Sequence, residues 1–237
     1  MLSLNQEVIP IKGFLETSFL DWPGKLTAVI FLPGCNFRCP FCQNYDLVLN
    51  PQSLPSIPIT EVVHRLNKLK GWVDGICLTG GEPTIHSNLP DFIRIFKDSS
   101  FLIKLDTNGS NPVLIEYLLK EGLIDAVAMD IKAPLEEIFY SRLSGVGINL
   151  ARIKKSIILL QEQERAIDVI FRITVVPELL TEKDIYRLAK ELSPAKKLLL
   201  QQFNPEKVLN SELKKIKPWT QEKLDEVQKQ VDQILNS

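Results

Sequence analysis

The chain has 237 residues and is 45% hydrophobic, enough to fill one large domain with a continuous core. Its 28 Lys and Arg balance 29 Asp and Glu, so no global charge excess favours nucleic acid or an anionic membrane surface, and a partner must be recognised through a local site. The apolar runs are far shorter than a membrane span, and Met1–Glu7 lacks the basic-then-apolar order of a secretory segment, which predicts a cytoplasmic protein with reduced thiols. No repeat or linker interrupts the chain, so one domain over residues 1–237 is expected, with Pro51 to Pro58 as an ordered surface loop.

In chain order, a short strand or hairpin is expected near Ile9 to Thr17, then a turn at Trp22-Pro23-Gly24. Thr27–Leu32 is a continuous apolar, partly β-branched run, as in a strand covered on both faces. The stretch Gly34-Cys35-Asn36-Phe37-Arg38-Cys39-Pro40-Phe41-Cys42-Gln43-Asn44 begins at its C-terminal end and holds three of the four cysteines. A helix capped by Thr60 carries Val62, Val63, Leu66 and Leu69 and closes at Gly71. Further strands are expected at Gly75–Thr79, Phe101–Asp106, Ala126–Ile131, Val169–Val176 and Lys197–Phe203. Helices are expected at Asn88–Lys97, Pro112–Lys120, Ile148–Gln163, Thr181–Leu192 and Thr220–Leu235. Buried strands each followed by a helix imply parallel pairing with right-handed crossovers, in either a partial (β/α)6 barrel or a flat doubly wound sheet.

The cysteine spacing points to metal chemistry, because a loop with thiols three and two residues apart can wrap an ion or cluster without strain. A closed zinc site needs a fourth ligand, which Cys77, His64 or His86 would have to supply without the usual paired spacing. A disulfide framework leaves one clustered thiol over. A [4Fe-4S] cluster held by three thiolates needs no fourth cysteine.

Polar residues gather at the other strand ends, where either architecture places its ligand site. Thr79-Gly80-Gly81-Glu82-Pro83 is a tight turn whose paired glycines let backbone approach a ligand closely. Leu105-Asp106-Thr107-Asn108-Gly109 and Ala128-Met129-Asp130-Ile131-Lys132 put carboxylates at neighbouring strand ends, which repel unless a cation or ligand amine lies between them. Alternatively, Asp106 caps a turn and Asp130 pairs with Lys132 at the surface. Arg172 and Thr174 alternate with apolar residues, so Arg172 either faces a polar cavity or pairs with Asp168 or Glu178. His64 is expected at the surface, His86 outside the chemistry, and Cys77 in the core.

The C-x3-C-x2-C loop with Phe41 before its last cysteine resembles that of the radical S-adenosylmethionine (SAM) enzymes. With Asp21-Trp22-Pro23-Gly24-Lys25, Phe31-Leu32-Pro33-Gly34-Cys35 and Cys42-Gln43-Asn44, the chain from about Gly13 to Phe203 resembles the glycyl-radical activating enzymes, in particular those serving anaerobic ribonucleoside-triphosphate reductase. The resemblance implies the open barrel and a [4Fe-4S] cluster on Cys35, Cys39 and Cys42. It implies SAM chelating the free iron, with Phe41 near the adenine and Gly80, Gly81 and Glu82 around the methionyl amino group. Asp106, followed by Thr107, would lie near that amino group and Lys132 near the SAM carboxylate, with Asp130 facing the ribose or a bound monovalent cation. Arg172 would hold a carboxylate or substrate backbone. Gln201 and Gln202 stand where related enzymes can present a histidine to the ribose. A flavodoxin or ferredoxin would deliver one electron, and a 5'-deoxyadenosyl radical would take hydrogen from a glycine of a partner reductase. The chain beyond Phe203 offers only a helix and its approach, so the partner itself is expected to cover the open barrel.

Overall fold

A computed structural model describes residues 9–237; Met1–Glu7, read for a leader, lies outside the described residues. Strand β1 (Gly13–Ser18) pairs antiparallel with β2 (Thr27–Leu32). The chain then forms α1 (Tyr45–Leu49), a 3-10 turn at Pro51–Ser53, α2 (Ile59–Lys68) and β3 (Gly75–Gly80). After a 3-10 turn at Pro83–Ile85 follow α3 (Leu89–Lys97), β4 (Leu102–Thr107), α4 (Pro112–Lys120) and β5 (Ala126–Asp130). The second half contains α5 (Glu137–Ser144), α6 (Leu150–Gln163), β6 (Asp168–Val175), α7 (Glu182–Leu192), β7 (Leu198–Gln202) and α8 (Gln221–Leu235).

The seven-stranded sheet has the order β1-β2-β3-β4-β5-β6-β7, and β2 to β7 are parallel. A doubly wound sheet needs a reversal in strand order, and this one has none. Right-handed crossovers in unbroken order lay all helices on one face, which curls the sheet towards a barrel. Among the described residues no pairing joins β7 back to β1 or β2, so the barrel stays open there. The fold is therefore the partial α/β barrel, with an added antiparallel edge strand.

Helix ends follow local chemistry. Asn149 caps α6, and Thr181 with Asp184 forms a capping box on α7. On α3, Leu89, Phe92, Ile93 and Phe96 form the buried stripe expected for it. For α2 the cap differs from expectation: the helix starts at Ile59 after Pro58, so Thr60 lies inside its first turn. The sequence reading also passed over α1 and α5. Five residues are too few for a periodic signal in α1. In α5 the apolar stripe is blurred, because Ile138 is exposed while Tyr140 and Leu143 are buried. Among the described residues no helix is long and apolar enough to cross a membrane.

Candidate functional site

The cysteine loop leaves the end of β2 and is fastened on several sides. Gly34 N–H donates to Leu47 O at 2.8 Å, and Glu82 N–H donates to Gly34 O at 2.7 Å. A Cβ on Gly81 would stand 1.7 Å from that same oxygen. The bare backbone at Gly81 thus serves first to let the β3 turn touch the cysteine loop. On another side, Arg38 N–H donates to Ser144 O of α5 at 2.8 Å, and a Cβ on Gly145 would meet Arg38 O at 2.0 Å. Asn108 Nδ2 donates to Asn36 Oδ1 at 2.9 Å, which ties the loop to the end of β4.

A further tie comes from the chain beyond β7. Asn210 N–H donates to Pro40 O at 2.8 Å, and Lys207 pairs with Asp46 at 3.2 Å while lying over the Tyr45 ring. Val208, Leu213 and Ile216 bury their side chains in the core. The approach to the last helix is therefore a strap laced across the open side of the barrel, where the sequence suggested only leftover chain.

The strand ends surround one cavity of ≈ 320 Å³. Cys35, Cys39 and Cys42 line it, together with Phe41, Gly80, Gly81 and Glu82. From the opposite wall come Asp106, Thr107, Asp130, Lys132, Arg172, Gln201 and Gln202. All the residues singled out as cofactor or metal contacts are thus brought together. His64 is exposed on α2, Cys77 is buried in β3, and His86 Nε2 makes a 2.9 Å contact with Pro33 O outside the cavity lining.

A cation does lie between the two carboxylates, as the sequence required, and it comes from the protein itself. Arg172 Nη2 lies 2.9 Å from Asp106 Oδ2, and its Nε lies 2.8 Å from Asp130 Oδ1. The cation required between the two carboxylates is the protein's own guanidinium, and neither Asp168 nor Glu178 is its partner. Asp106 Oδ1 is also bonded to the buried Lys104 ammonium, while Lys132 stands 3.5 Å from Asp130 Oδ2. The result is an alternating chain Lys104, Asp106, Arg172, Asp130, Lys132, with one cation in excess. Burial alone would raise the Asp130 carboxyl, but Arg172 and Lys132 bring it down to about 2. Burial would lower the Lys132 ammonium, but Asp130 together with Cys39, Tyr140 and Cys35 raises it. Lys132 therefore stays charged at the cavity wall.

Glu82 is also committed inside the protein. Its Oε1 accepts from Thr84 N–H at 3.0 Å and from Thr107 Oγ1 at 2.7 Å, and its Oε2 from Asn108 N–H at 2.6 Å. Its side chain braces the β3 turn against the β4 end, and what it offers a ligand is mainly backbone. Burial raises its carboxyl against the effect of these donors.

Lys104 escaped the sequence reading, and Asn108 was quoted in the β4-end stretch without a task of its own. Lys104 carried a signal: it lies two residues before Asp106 in an otherwise apolar strand, so both side chains face the barrel interior. Ala126 and Ala128 on β5 stand opposite Lys104 and Asp106, which leaves room for long cationic side chains.

The segment 29–192 matches the model of the Radical SAM superfamily, more than half of the chain. The chain belongs to the radical SAM superfamily. It is 32% identical over 209 residues to a Methanocaldococcus jannaschii protein provisionally described as a glycyl-radical enzyme activating enzyme, covering 87% of this chain and 85% of that one. A probable GTP 3',8-cyclase from Thermoplasma volcanium is 34% identical over 114 residues, 48% of this chain and 34% of that one. Among solved structures, Streptococcus suis SuiB bound to S-adenosylmethionine superposes with a TM-score of 0.61 at 16% identity, covering 88% of this chain and 49% of that one. That likeness concerns the fold.

Radical SAM membership implies a [4Fe-4S] cluster and SAM, and the donor set suits both. All four cysteines are free. Among the described residues no three His, Cys, Asp or Glu side chains converge on a point that one metal ion could hold. A cluster does not need that convergence, because it takes each thiolate on a separate iron. Burial pushes the Cys35 thiol up to about 12 and Cys39 to about 11, so bare thiols keep their protons and metal must displace them. The surplus cation on the facing wall suits a ligand carboxylate.

Proposed function

We propose that this radical SAM enzyme is a glycyl-radical enzyme activase and that its substrate is an anaerobic ribonucleoside-triphosphate reductase. One observation carries the site: the cysteine loop faces the Arg172-bridged strand ends across a single cavity. The relative from M. jannaschii, matched over most of both chains, supports the activase reading. When bound, the cluster supplies one-electron cleavage of the SAM sulfonium bond.

The chain's own residues bind, orient and keep water out. Cys35, Cys39 and Cys42 would hold the cluster through their thiolates. Lys132 offers its ammonium to the SAM carboxylate. The Gly80-Gly81 backbone, with Asp106 and Thr107 behind it, receives the methionyl amino group. Phe41 would pack by the adenine, and Gln201 and Gln202, which line the same cavity, would face the ribose. Arg172 fixes Asp106 and Asp130 in place. A flavodoxin or ferredoxin delivers the electron, and the reductase inserts a glycine-bearing loop at the mouth.

Reduced enzyme, SAM and an anaerobic reductase from the same organism are mixed without oxygen. The expected result is a glycyl doublet in electron paramagnetic resonance with matching 5'-deoxyadenosine. SAM turnover driven by a small metabolite, with no doublet on any such reductase, overturns the proposal.

A further inference from the structure

Helix α5 carries a buried polar group for which the site described so far has no use. Tyr140 is fully buried, and its hydroxyl is the one buried side-chain polar atom without a hydrogen-bond partner among the described residues. An unpaired buried hydroxyl is destabilising, and Phe would fill the same space without it. Such a group asks what it meets when the protein is loaded.

Its position narrows the answer. Tyr140 lies one turn before Ser144, whose carbonyl takes the Arg38 N–H, so its helix face is the one docked on the cysteine loop next to Cys39. The hydroxyl lies within electrostatic reach of Lys132, Cys39 and Asp130. It approaches the Lys132 backbone amide without completing a hydrogen bond. Lys132 has only donors to offer. Asp130 already gives one oxygen to Arg172 and the other to Lys132. Cys39 is the group whose acceptor strength changes on loading, because its thiol becomes a metal-bound thiolate.

We propose that Tyr140 is a positioning residue for the cluster, its hydroxyl donating a hydrogen bond to the Cys39 sulfur once that sulfur is metal-bound. The bond favours the reduced cluster, which carries more negative charge, and so raises its reduction potential. The proposal rests on Cys35, Cys39 and Cys42 being the ligands.

The test uses holoenzyme reconstituted with iron and sulfide, wild type and Tyr140→Phe. Expected for Tyr140→Phe are unchanged iron content, a stable apo fold, and about tenfold less reduced cluster at a fixed solution potential, which is a shift of about 59 mV for one electron. Installing 3-fluorotyrosine at position 140 makes the phenol a stronger donor and should move the potential the opposite way. This second form also serves if the Phe variant fails to fold. A potential that neither change moves, on protein that binds its cluster, overturns this proposal alone and leaves the hydroxyl a purely structural group. A wild-type protein that takes up no iron and sulfide overturns the ligand assignment with it.

Discussion

The cysteine loop and the charged strand ends face each other across one cavity, but they are built differently. The loop gathers its three thiols within eight residues and is held mainly by backbone hydrogen bonds to β3, α1, α5 and the strap. The opposite wall draws Lys104, Asp106, Asp130 and Arg172 from three strands and Lys132 from just beyond β5, and joins them mainly by side-chain ion pairs. A local motif fixes which atoms bind. A non-local network depends on sheet register, since Asp130 opposes Arg172 only because β5 and β6 pair as they do.

The sharpest break falls on the loop. Cys35→Ala, Cys39→Ala and Cys42→Ala should each abolish cluster binding, while Cys77→Ala retains it. Iron and sulfide analysis after anaerobic reconstitution checks this, and retention in any of the first three contradicts the ligand set.

Breaking the opposite wall should cost stability before it costs iron. Arg172→Met leaves Asp106 and Asp130 facing each other without their bridge, a loss of about 3–5 kcal/mol by denaturant unfolding of the apo protein. Asp106→Ala should also destabilise, because it strands the Lys104 ammonium inside the barrel. Asp130→Ala should do so less, since its side chain is 31% exposed against 8% for Asp106. Both should weaken SAM binding by about 1.5–3 kcal/mol in calorimetry on the loaded protein.

Gly81→Ala tests the seam between the regions. Its methyl group has no place beside the Gly34 carbonyl, so a loss of about 3 kcal/mol and impaired cluster uptake are expected. Wild-type stability and full iron content would mean that the loop tolerates displacement.

The same contrast explains what the sequence made legible. The parallel strands, most helices and the three-thiol loop were visible because each is a local pattern. The Gly80-Gly81 pair was visible as a turn, but its closest task is contact with Gly34, which no sequence spacing announces. Arg172 was visible as a polar residue facing inward, and its partners were not, because Asp168 and Glu178 are nearer in sequence than Asp106 and Asp130. The strap around Asn210 was missed for the same reason: its apolar anchors Val208, Leu213 and Ile216 follow neither strand nor helix periodicity.

The smallest expected effect concerns acid. The Asp130 carboxyl is lowered from its ordinary 3.8 to about 2, so its ion pairs stabilise the fold fully above about pH 4 and are lost as pH falls through about 2. Melting temperatures of the apo protein should fall over that window more steeply in wild type than in Asp130→Asn. Equal slopes would mean that Asp130 titrates as an ordinary surface carboxylate.

The most direct test of the two-walled site is electron paramagnetic resonance of the reduced, reconstituted protein with and without SAM. With three thiolate ligands one iron would be free for SAM, so the account predicts a reduced-cluster signal whose g-values change on SAM addition, and a diminished change in Asp130→Ala. Zinc uptake without iron, or a cluster signal indifferent to saturating SAM, would contradict it.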